Sequence, residues 1–291
     1  MSSVTMKSRF MIALVAGALF GAAPAVAAQE WSMDNVMNAP ADWREVPPEN
    51  LVLMSTTKGD ILIELSPEIA PRHVARIREI VAGGLYDGTK FHRVINGFMA
   101  QGGDISTIRP DFVMDPVPGE FTFRRNPEEM PMTQLDPSLQ NEPYYAGYVN
   151  GFPVNSAQEK MSDYTSDGRV ESWVPHCPGV VSMARTTDPN SAVDQFFLMR
   201  DESPSLDRKY TVWGRMISGA QVAKAMNVGE PPAQPDLVVT ARLVSDLPET
   251  LRPKAYVMRN ESVAFIELIK DFQDAETICQ APSTPAVVQL P

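Results

Sequence analysis

Residues 91–104, FHRVINGFMAQGGD, are the most informative stretch of the sequence for the fold of this chain. The run 91–95 has the apolar and β-branched composition that predicts a strand. Successive side chains of a strand point to opposite faces, so His92 and Arg93 are expected on opposite sides. An isolated arginine in a strand is by default a surface residue. The meaning of Arg93 therefore depends on the sequence around it.

The residues before this stretch predict a hairpin followed by a helix. The runs 51–57 (LVLMSTT) and 61–65 (ILIEL) flank a Lys-Gly-Asp turn, and Gly and Asp tolerate the positive φ that tight hairpin turns require. Apolar residues then recur at helical spacing between Pro71 and Gly83. This pattern predicts a helix that a proline opens and a glycine closes.

The residues after this stretch predict further strands and one short helix near 220–226. The strands are expected at 179–184, 195–199, 211–216 and 237–244. Many closely spaced strands with few helices are typical of a closed antiparallel barrel, so the chain is predicted to be mainly β.

Several segments resemble the cyclophilin family, in the order in which the family has them. Besides residues 91–104 they are TTKGDILIEL (56–65), GLYDGTKFHRV (84–94), PGVVSMAR (178–185), DQFFLM (194–199), SLDRKYTVWGRM (205–216) and GEPPAQPD (229–236). The resemblance spans most of residues 51–247. It implies a closed eight-stranded antiparallel barrel capped by two helices, with proline-containing peptides bound in an outer groove. It also implies peptidyl-prolyl cis/trans isomerase activity.

The resemblance also implies roles for individual residues. Arg93 matches the catalytic arginine of the family, and Gln101 matches the glutamine beside it. The remaining groove positions comprise the wall of the proline pocket, a contact to the peptide backbone and the groove lining. They are Phe98, Met99, Phe197 and Leu206 for the wall, Gln195 for the backbone contact, and Ala184, Arg185 and Tyr210 for the lining.

These residue types suit the chemistry of an X-Pro bond. Rotation about the bond meets a barrier of ~18–20 kcal/mol, because amide resonance must be broken. In the twisted transition state the prolyl nitrogen regains a lone pair and accepts a hydrogen bond. A fixed guanidinium can donate to it, and interactions that strengthen in the transition state accelerate the reaction. An apolar pocket holds the ring and excludes water, so no cofactor or metal is required.

The first 28 residues have the layout of a secretory signal peptide. Lys7 and Arg9 precede the apolar run 10–23, and small residues follow, so cleavage is expected after Ala27 or Ala28. The run is shorter than the roughly 20 residues of a spanning helix, which disfavours an uncleaved membrane anchor. Export through this signal predicts a periplasmic protein.

The charge balance disfavours nucleic acid as a partner. The chain has 25 basic and 36 acidic residues, for a net charge of −11. Without residues 1–28, which hold two basic residues and no acidic ones, the balance is 23 minus 36, or −13. Phosphate backbones and anionic membrane surfaces repel such a chain.

Three segments fall outside the barrel pattern. Residues 29–50 are interpreted as a leader, and residues 248–291 as an extension with one helix at 260–272 and a frayed end at 281–291. Residues 105–175 form an insert without a sustained period. It contains prolines 110, 116, 118, 127, 131, 137, 143, 153 and 175. An insert this long is either functional or packs as a lobe of its own. In the topology of the family it lies on the groove side, where it is expected to lengthen or restrict the groove.

Cys177 and Cys279 leave two interpretations open. An oxidising compartment favours a disulfide between them, whereas two separate buried thiols fit the sequence equally well. His176 adjoins Cys177, but two ligands do not make a metal site, and no metal is predicted.

Two departures from many family members refine the prediction. Ser205 stands where many eukaryotic cyclophilins have the tryptophan that holds cyclosporin, so weak cyclosporin binding is expected. Tyr210 and the run MART (183–186) resemble the exported bacterial branch of the family.

Two other functions compete with the enzyme. One is a binding scaffold or holding chaperone with a cyclophilin-like fold, in which the insert contacts client proteins. The other is a periplasmic metal binder that uses the 16 methionines, which their scattered positions disfavour.

Overall fold

The computed structural model describes residues 30–136 and 144–291, and the predicted signal peptide lies outside them. The first part of the chain contains α1 (Met33–Asn38), β1 (Trp43–Glu45), β2 (Leu51–Thr56), β3 (Gly59–Leu65), α2 (Pro71–Ala82), β4 (Arg93–Val94) and β5 (Met99–Gly102). The insert contains β6 (Phe123–Arg125), β7 (Thr133–Gln134), β8 (Tyr144–Val149), β9 (Phe152–Ala157) and β10 (Val170–Trp173). The rest contains β11 (Val180–Met183), β12 (Phe196–Met199), β13 (Val212–Ser218), α3 (Ala220–Lys224), β14 (Val238–Leu243), β15 (Lys254–Met258), α4 (Val263–Ile269) and β16 (Ala286–Gln289).

The central sheet has eight antiparallel strands in the order β14-β2-β3-β13-β11-β12-β5-β4. The predicted mainly β architecture with eight antiparallel strands is therefore confirmed, but the expected closure of the barrel is wrong. The sheet curls into a half-barrel, and its edge strands β4 and β14 share no continuous ladder. Short contacts rather than a ladder link this side of the sheet. Isolated bridges join Lys90 to Leu237 and Val94 to Gly229, and Phe91 N donates to Asp236 O at 2.8 Å. Strand β4 has only two residues, and its Val94 pairs with Gly229, which lies outside β14.

The predicted hairpin and helix both form. Strands β2 and β3 pair from Leu51↔Glu64 to Thr56↔Gly59, and Gly59 has the positive φ of +127° that the turn needs. Helix α2 begins at Pro71, whose missing N–H has no intrahelical acceptor at this position anyway. The helix buries a face that includes Val74, Ile77 and Ile80 against the sheet. Each such side chain stabilises the fold by about 1.5–3 kcal/mol relative to its exposed state.

The insert is not a loop but a second antiparallel sheet, in the order β6-β10-β9-β8-β7. The sequence of the insert shows no hydrophobic period because the buried face of this sheet carries polar groups. Buried Arg125 donates to Ser156 Oγ at 3.1 Å and to Glu159 Oε1 at 2.9 Å, and Ser156 Oγ lies 2.9 Å from Ser172 Oγ. Along β9 burial alternates strictly, although hydrophobicity does not.

The leader and the C-terminal extension pair with each other. Strands β1, β15 and β16 form a third sheet in the order β1-β15-β16, with Trp43 opposite Met258 and Val257 opposite Ala286. The predicted helix forms as α4 and is capped by Ser262, whose Oγ accepts from Phe265 N at 3.1 Å. The predicted frayed end is wrong, since β16 lies in this sheet.

Cys177 and Cys279 form a disulfide with their Cα atoms 4.9 Å apart. The bond ties the extension to the residues just before β11. No helix among residues 30–136 and 144–291 combines the length and apolarity needed to cross a membrane.

Candidate active site

Arg93 and Gln101 face each other across two short strands. Arg93 in β4 is the register partner of Gln101 in β5. The chain reverses between these strands through a turn in which Gly97 has a positive φ of +63°. The Arg93 side chain is 40% exposed, so its guanidinium lies at the surface of the half-barrel.

A small pocket of about 150 Å³ opens beside the Arg93 guanidinium. Nine of the ten predicted groove residues line it: Arg93, Phe98, Met99, Gln101, Ala184, Arg185, Phe197, Leu206 and Tyr210. Met99 and Phe197 are almost fully buried and form an apolar wall. The pocket thus combines a cationic hydrogen-bond donor with an apolar wall.

The tenth predicted residue, Gln195, lies one step along the groove. It lines a neighbouring cleft of about 210 Å³ that shares Gln101, Ala184 and Arg185 with the first pocket. Gln101 Nε2 donates to Gln195 Oε1 at 2.9 Å, which joins the two clefts by a polar contact. The two glutamines leave N–H and C=O groups for a bound peptide backbone.

The Arg185 side chain is held in place between two aromatic rings. Its guanidinium carbon lies 4.4 Å from the centre of the Tyr210 ring and 5.7 Å from that of Phe121. Arg185 Nε donates to Lys209 O at 2.9 Å, and Nη1 donates to Thr186 O at 2.8 Å. Phe121 belongs to the insert and had no role in the sequence prediction, because only the tertiary fold brings it to the groove.

The insert also contacts the loop that carries Leu206 and Tyr210. Arg208 in this loop donates to Glu171 Oε1 at 2.7 Å and lies over the Trp173 ring at 5.1 Å. Both partners belong to β10. The expectation that the insert lies on the groove side is thus met at two places, Phe121 and β10.

Glu230 pairs with Arg93 and was not predicted. Arg93 Nε donates to Glu230 Oε2 at 2.6 Å. Glu230 lies in the segment GEPPAQPD, which is one of the segments that resemble the family, but the resemblance implies no role for this residue. A glutamate and an arginine 137 positions apart give no sequence signal of their pairing.

Behind the pocket, His176 supports Phe197. The two rings are stacked with centroids 6.0 Å apart and an interplanar angle of 18°. His176 Nδ1 lies 2.9 Å from Asp207 Oδ1, and its Nε2 lies 2.9 Å from Ser182 Oγ. The chain Ser182–His176–Asp207 has the order of a nucleophile, base and carboxylate. Ser182 is completely buried, however, so no substrate reaches its hydroxyl.

Two larger cavities, of about 320 and 430 Å³, lie where the insert meets the C-terminal extension. Neither is lined by Arg93 or Gln101. Cys177 is bonded to Cys279, so the pair His176-Cys177 offers no thiolate to a metal.

Comparisons with known proteins identify the family. Residues 51–243 match the profile of the family described as cyclophilin type peptidyl-prolyl cis-trans isomerase/CLD. A probable peptidyl-prolyl cis-trans isomerase of Brucella suis is 31% identical over 204 residues, which are 68% of this chain and 85% of that protein. Peptidyl-prolyl cis-trans isomerase A of Dickeya dadantii is 27% identical over 207 residues, which are 66% of this chain and 84% of that protein.

A solved structure extends the similarity beyond the matched family region. The crystal structure of cyclophilin AquaCyp293 from Hirschia baltica superposes with a TM-score of 0.87 at 52% sequence identity. The match covers 90% of this chain and 99% of that chain. The chain therefore belongs to the cyclophilin-type peptidyl-prolyl cis/trans isomerase family.

Proposed function

We propose that this isomerase rotates X-Pro bonds of exported proteins in the periplasm and so assists their folding, with Arg93 donating a hydrogen bond to the prolyl nitrogen. The observation that carries the mechanism is the position of the Arg93 guanidinium at the mouth of the apolar pocket formed by Met99, Phe197 and their neighbours. A proline ring seated there brings its nitrogen toward the guanidinium.

The chemistry follows from the charge distribution of the amide. In the planar state the nitrogen lone pair is delocalised into the carbonyl and accepts a hydrogen bond poorly. In the twisted state the lone pair is localised, and a guanidinium N–H can donate to it. Because Arg93 interacts with the twisted state more strongly than with either planar state, it lowers the barrier in both directions. The buried wall keeps water from stabilising the planar amide.

Isomerisation of a short X-Pro peptide by the purified protein and by Arg93→Ala tests this mechanism. The substitution should lower kcat/KM by about 100-fold or more, the range found when one preorganised donor to a transition state is removed. Arg259→Ala is the matched control, because Arg259 is similarly exposed at 46% and lies in the extension. Equal rates for Arg93→Ala and the control would refute the mechanism.

A scaffold or holding chaperone is the second candidate, because the insert sheet, whose β10 contacts the loop around Arg208, lies next to the groove and offers a second surface to a client chain. The two functions separate in one further assay, the suppression of aggregation of an unfolded, proline-free client. Two results together would favour the scaffold. Arg93→Ala would suppress aggregation as well as the unmodified protein does, and the unmodified protein would isomerise the X-Pro peptide no faster than Arg93→Ala.

Export is tested by the mature N-terminus. Expression of the full chain in a Gram-negative host, followed by fractionation and mass spectrometry, should give a periplasmic protein that begins after Ala27 or Ala28. Recovery of the uncleaved chain from the cytoplasm or the membrane would contradict the proposed localisation.

A further inference from the structure

We propose that Glu230 is a positioning residue, which fixes the Arg93 guanidinium in the orientation that isomerisation needs. This inference rests on the proposed role of Arg93. The Nε of Arg93 donates to Glu230 Oε2 at 2.6 Å, a charge-assisted bond of the shorter and stronger kind. Within residues 30–136 and 144–291, no other side chain forms a hydrogen bond with Arg93.

The backbone holds Glu230 beside Arg93. Val94 N donates to Gly229 O at 2.8 Å, and Gly229 N donates to Val94 O at 2.9 Å. This two-bond bridge joins the residue after Arg93 to the residue before Glu230. A Cβ at position 229 would lie 2.4 Å from Pro232 Cα, so the bend that carries Glu230 requires glycine. The carboxylate is thus presented by a segment with little freedom.

Tethering at Nε leaves the catalytic end of the guanidinium available. Arginine has five N–H donors, and a bond at Nε uses one of them while the four at Nη1 and Nη2 stay free. Because the guanidinium is planar, a fixed Nε–H direction also fixes the directions of these four. A hydrogen bond prefers an angle above about 150° and weakens steeply below about 120°, so an arginine free to rotate would donate to the prolyl nitrogen less often.

The same carboxylate also has an opposing effect, since its negative charge offsets part of the charge of Arg93. The two side chains are 40% and 53% exposed, and water screens charges at such sites strongly. The orientation of the donor therefore outweighs the loss of charge. Glu230→Gln separates the two effects, because it keeps an acceptor oxygen but removes the charge. If orientation dominates, the activity is retained; if charge dominates, the activity changes as it does in Glu230→Ala.

The experiment compares Glu230→Ala, Glu230→Gln and the control Glu261→Ala with the unmodified protein. Glu261 is a glutamate of 65% exposure paired with Arg259 in the extension. For Glu230→Ala we expect kcat/KM on an X-Pro peptide to fall about three- to fivefold, which is about 0.6–1 kcal/mol of transition-state stabilisation and is the most that an exposed ion pair supplies. Glu230→Gln should stay within twofold, and Glu261→Ala should be unchanged.

Two further readouts separate positioning from a structural role. The loss in Glu230→Ala should lie in kcat, with KM within twofold, because the planar ground state does not use the guanidinium bond. Nuclear magnetic resonance at saturating peptide gives the rate of cis/trans exchange in the bound state, and this rate reports kcat separately from KM. The Arg93 Nε–H resonance should also broaden or exchange faster with water in Glu230→Ala. The melting temperature should not change, since exposed ion pairs contribute about 0–1 kcal/mol.

The failures can be distinguished. If the unmodified protein does not accelerate isomerisation, or if Arg93→Ala is as active as the unmodified protein, the proposed function fails. If Arg93→Ala is inactive but Glu230→Ala stays within twofold of the unmodified protein, only the positioning inference fails. Equal losses in Glu230→Ala and Glu230→Gln, or a gain in either, would overturn it in favour of an effect of charge.

Discussion

Glu120 in the insert binds the first turn of helix α2, and its replacement is expected to destabilise the fold measurably. The first turn of α2 has no capping side chain of its own, because Ala70 precedes it. The Glu120 carboxylate accepts from Arg72 N at 3.1 Å, His73 N at 3.0 Å and His73 Nδ1 at 2.7 Å. Its side chain is only 12% exposed. A residue 47 positions away thus caps the helix.

The magnitude follows from these three bonds. Glu120→Ala leaves partly buried donors unpaired, which costs about 1–3 kcal/mol, and removes a negative charge at a helix N-terminus, worth about 0.3–1 kcal/mol. We expect a loss of about 3 kcal/mol, which lowers the melting temperature of a domain of this size by about 6–12 °C. Glu120→Gln keeps an acceptor oxygen, so about half of this loss is expected.

The pH dependence has a defined sign. Burial alone raises the pKa of the Glu120 carboxyl, but hydrogen bonds from His73 and Arg72 outweigh burial and hold the pKa below its ordinary value. A carboxyl whose pKa is lower in the folded state stabilises the fold above its unfolded pKa. This contribution is lost as the pH falls through the folded pKa. The difference in stability between the unmodified protein and Glu120→Gln should therefore be larger at pH 7 than at pH 3 and should shrink below about pH 4.

Differential scanning calorimetry across this pH range tests the prediction, with Glu79→Ala as the control. Glu79 lies on the same helix, is 63% exposed and pairs with Arg76 at 3.6 Å, so its removal should change stability by less than about 0.5 kcal/mol. The reasoning is refuted if Glu120→Ala is no less stable than Glu79→Ala at pH 7. A difference between the unmodified protein and Glu120→Gln that grows toward low pH would contradict the assigned pKa direction.

Two further predictions concern the disulfide and the groove. Cys177 and Cys279 are 102 positions apart, so Cys177→Ser with Cys279→Ser should lower the free energy of unfolding by about 4–5 kcal/mol in urea titrations. A loss below about 1 kcal/mol would show that the loop constraint is not what stabilises the fold. Ser205 is exposed beside the pocket residue Leu206, and its hydroxymethyl group offers little contact area, so cyclosporin should inhibit the protein weakly. Ser205→Trp should strengthen inhibition at least about tenfold, the gain expected from one apolar contact of 1.4 kcal/mol, and nanomolar inhibition of the unmodified protein would contradict this.

The sequence alone determined the elements whose signals are local. The β2–β3 hairpin and α2 form where predicted, because a turn residue, a capping proline and hydrophobic periodicity act over a few neighbouring positions. The pocket residues were also predictable, since their spacing within short motifs resembles that of the family. Nine of the ten predicted groove residues line one pocket.

Only the tertiary structure decided which distant segments meet. Strand β1 pairs with β15 more than 200 positions later, and the insert forms a sheet whose inward residues Arg125 and Ser156 are polar. The pairings of Arg93 with Glu230 and of Arg185 with Phe121 arise in the same way. Such contacts depend on the path of the whole chain and leave no local period in the sequence. The opening of the half-barrel is likewise a property of the tertiary structure, because β4 and β14 lie at opposite ends of the strand order and are joined only by bridges between neighbouring residues of the described chain.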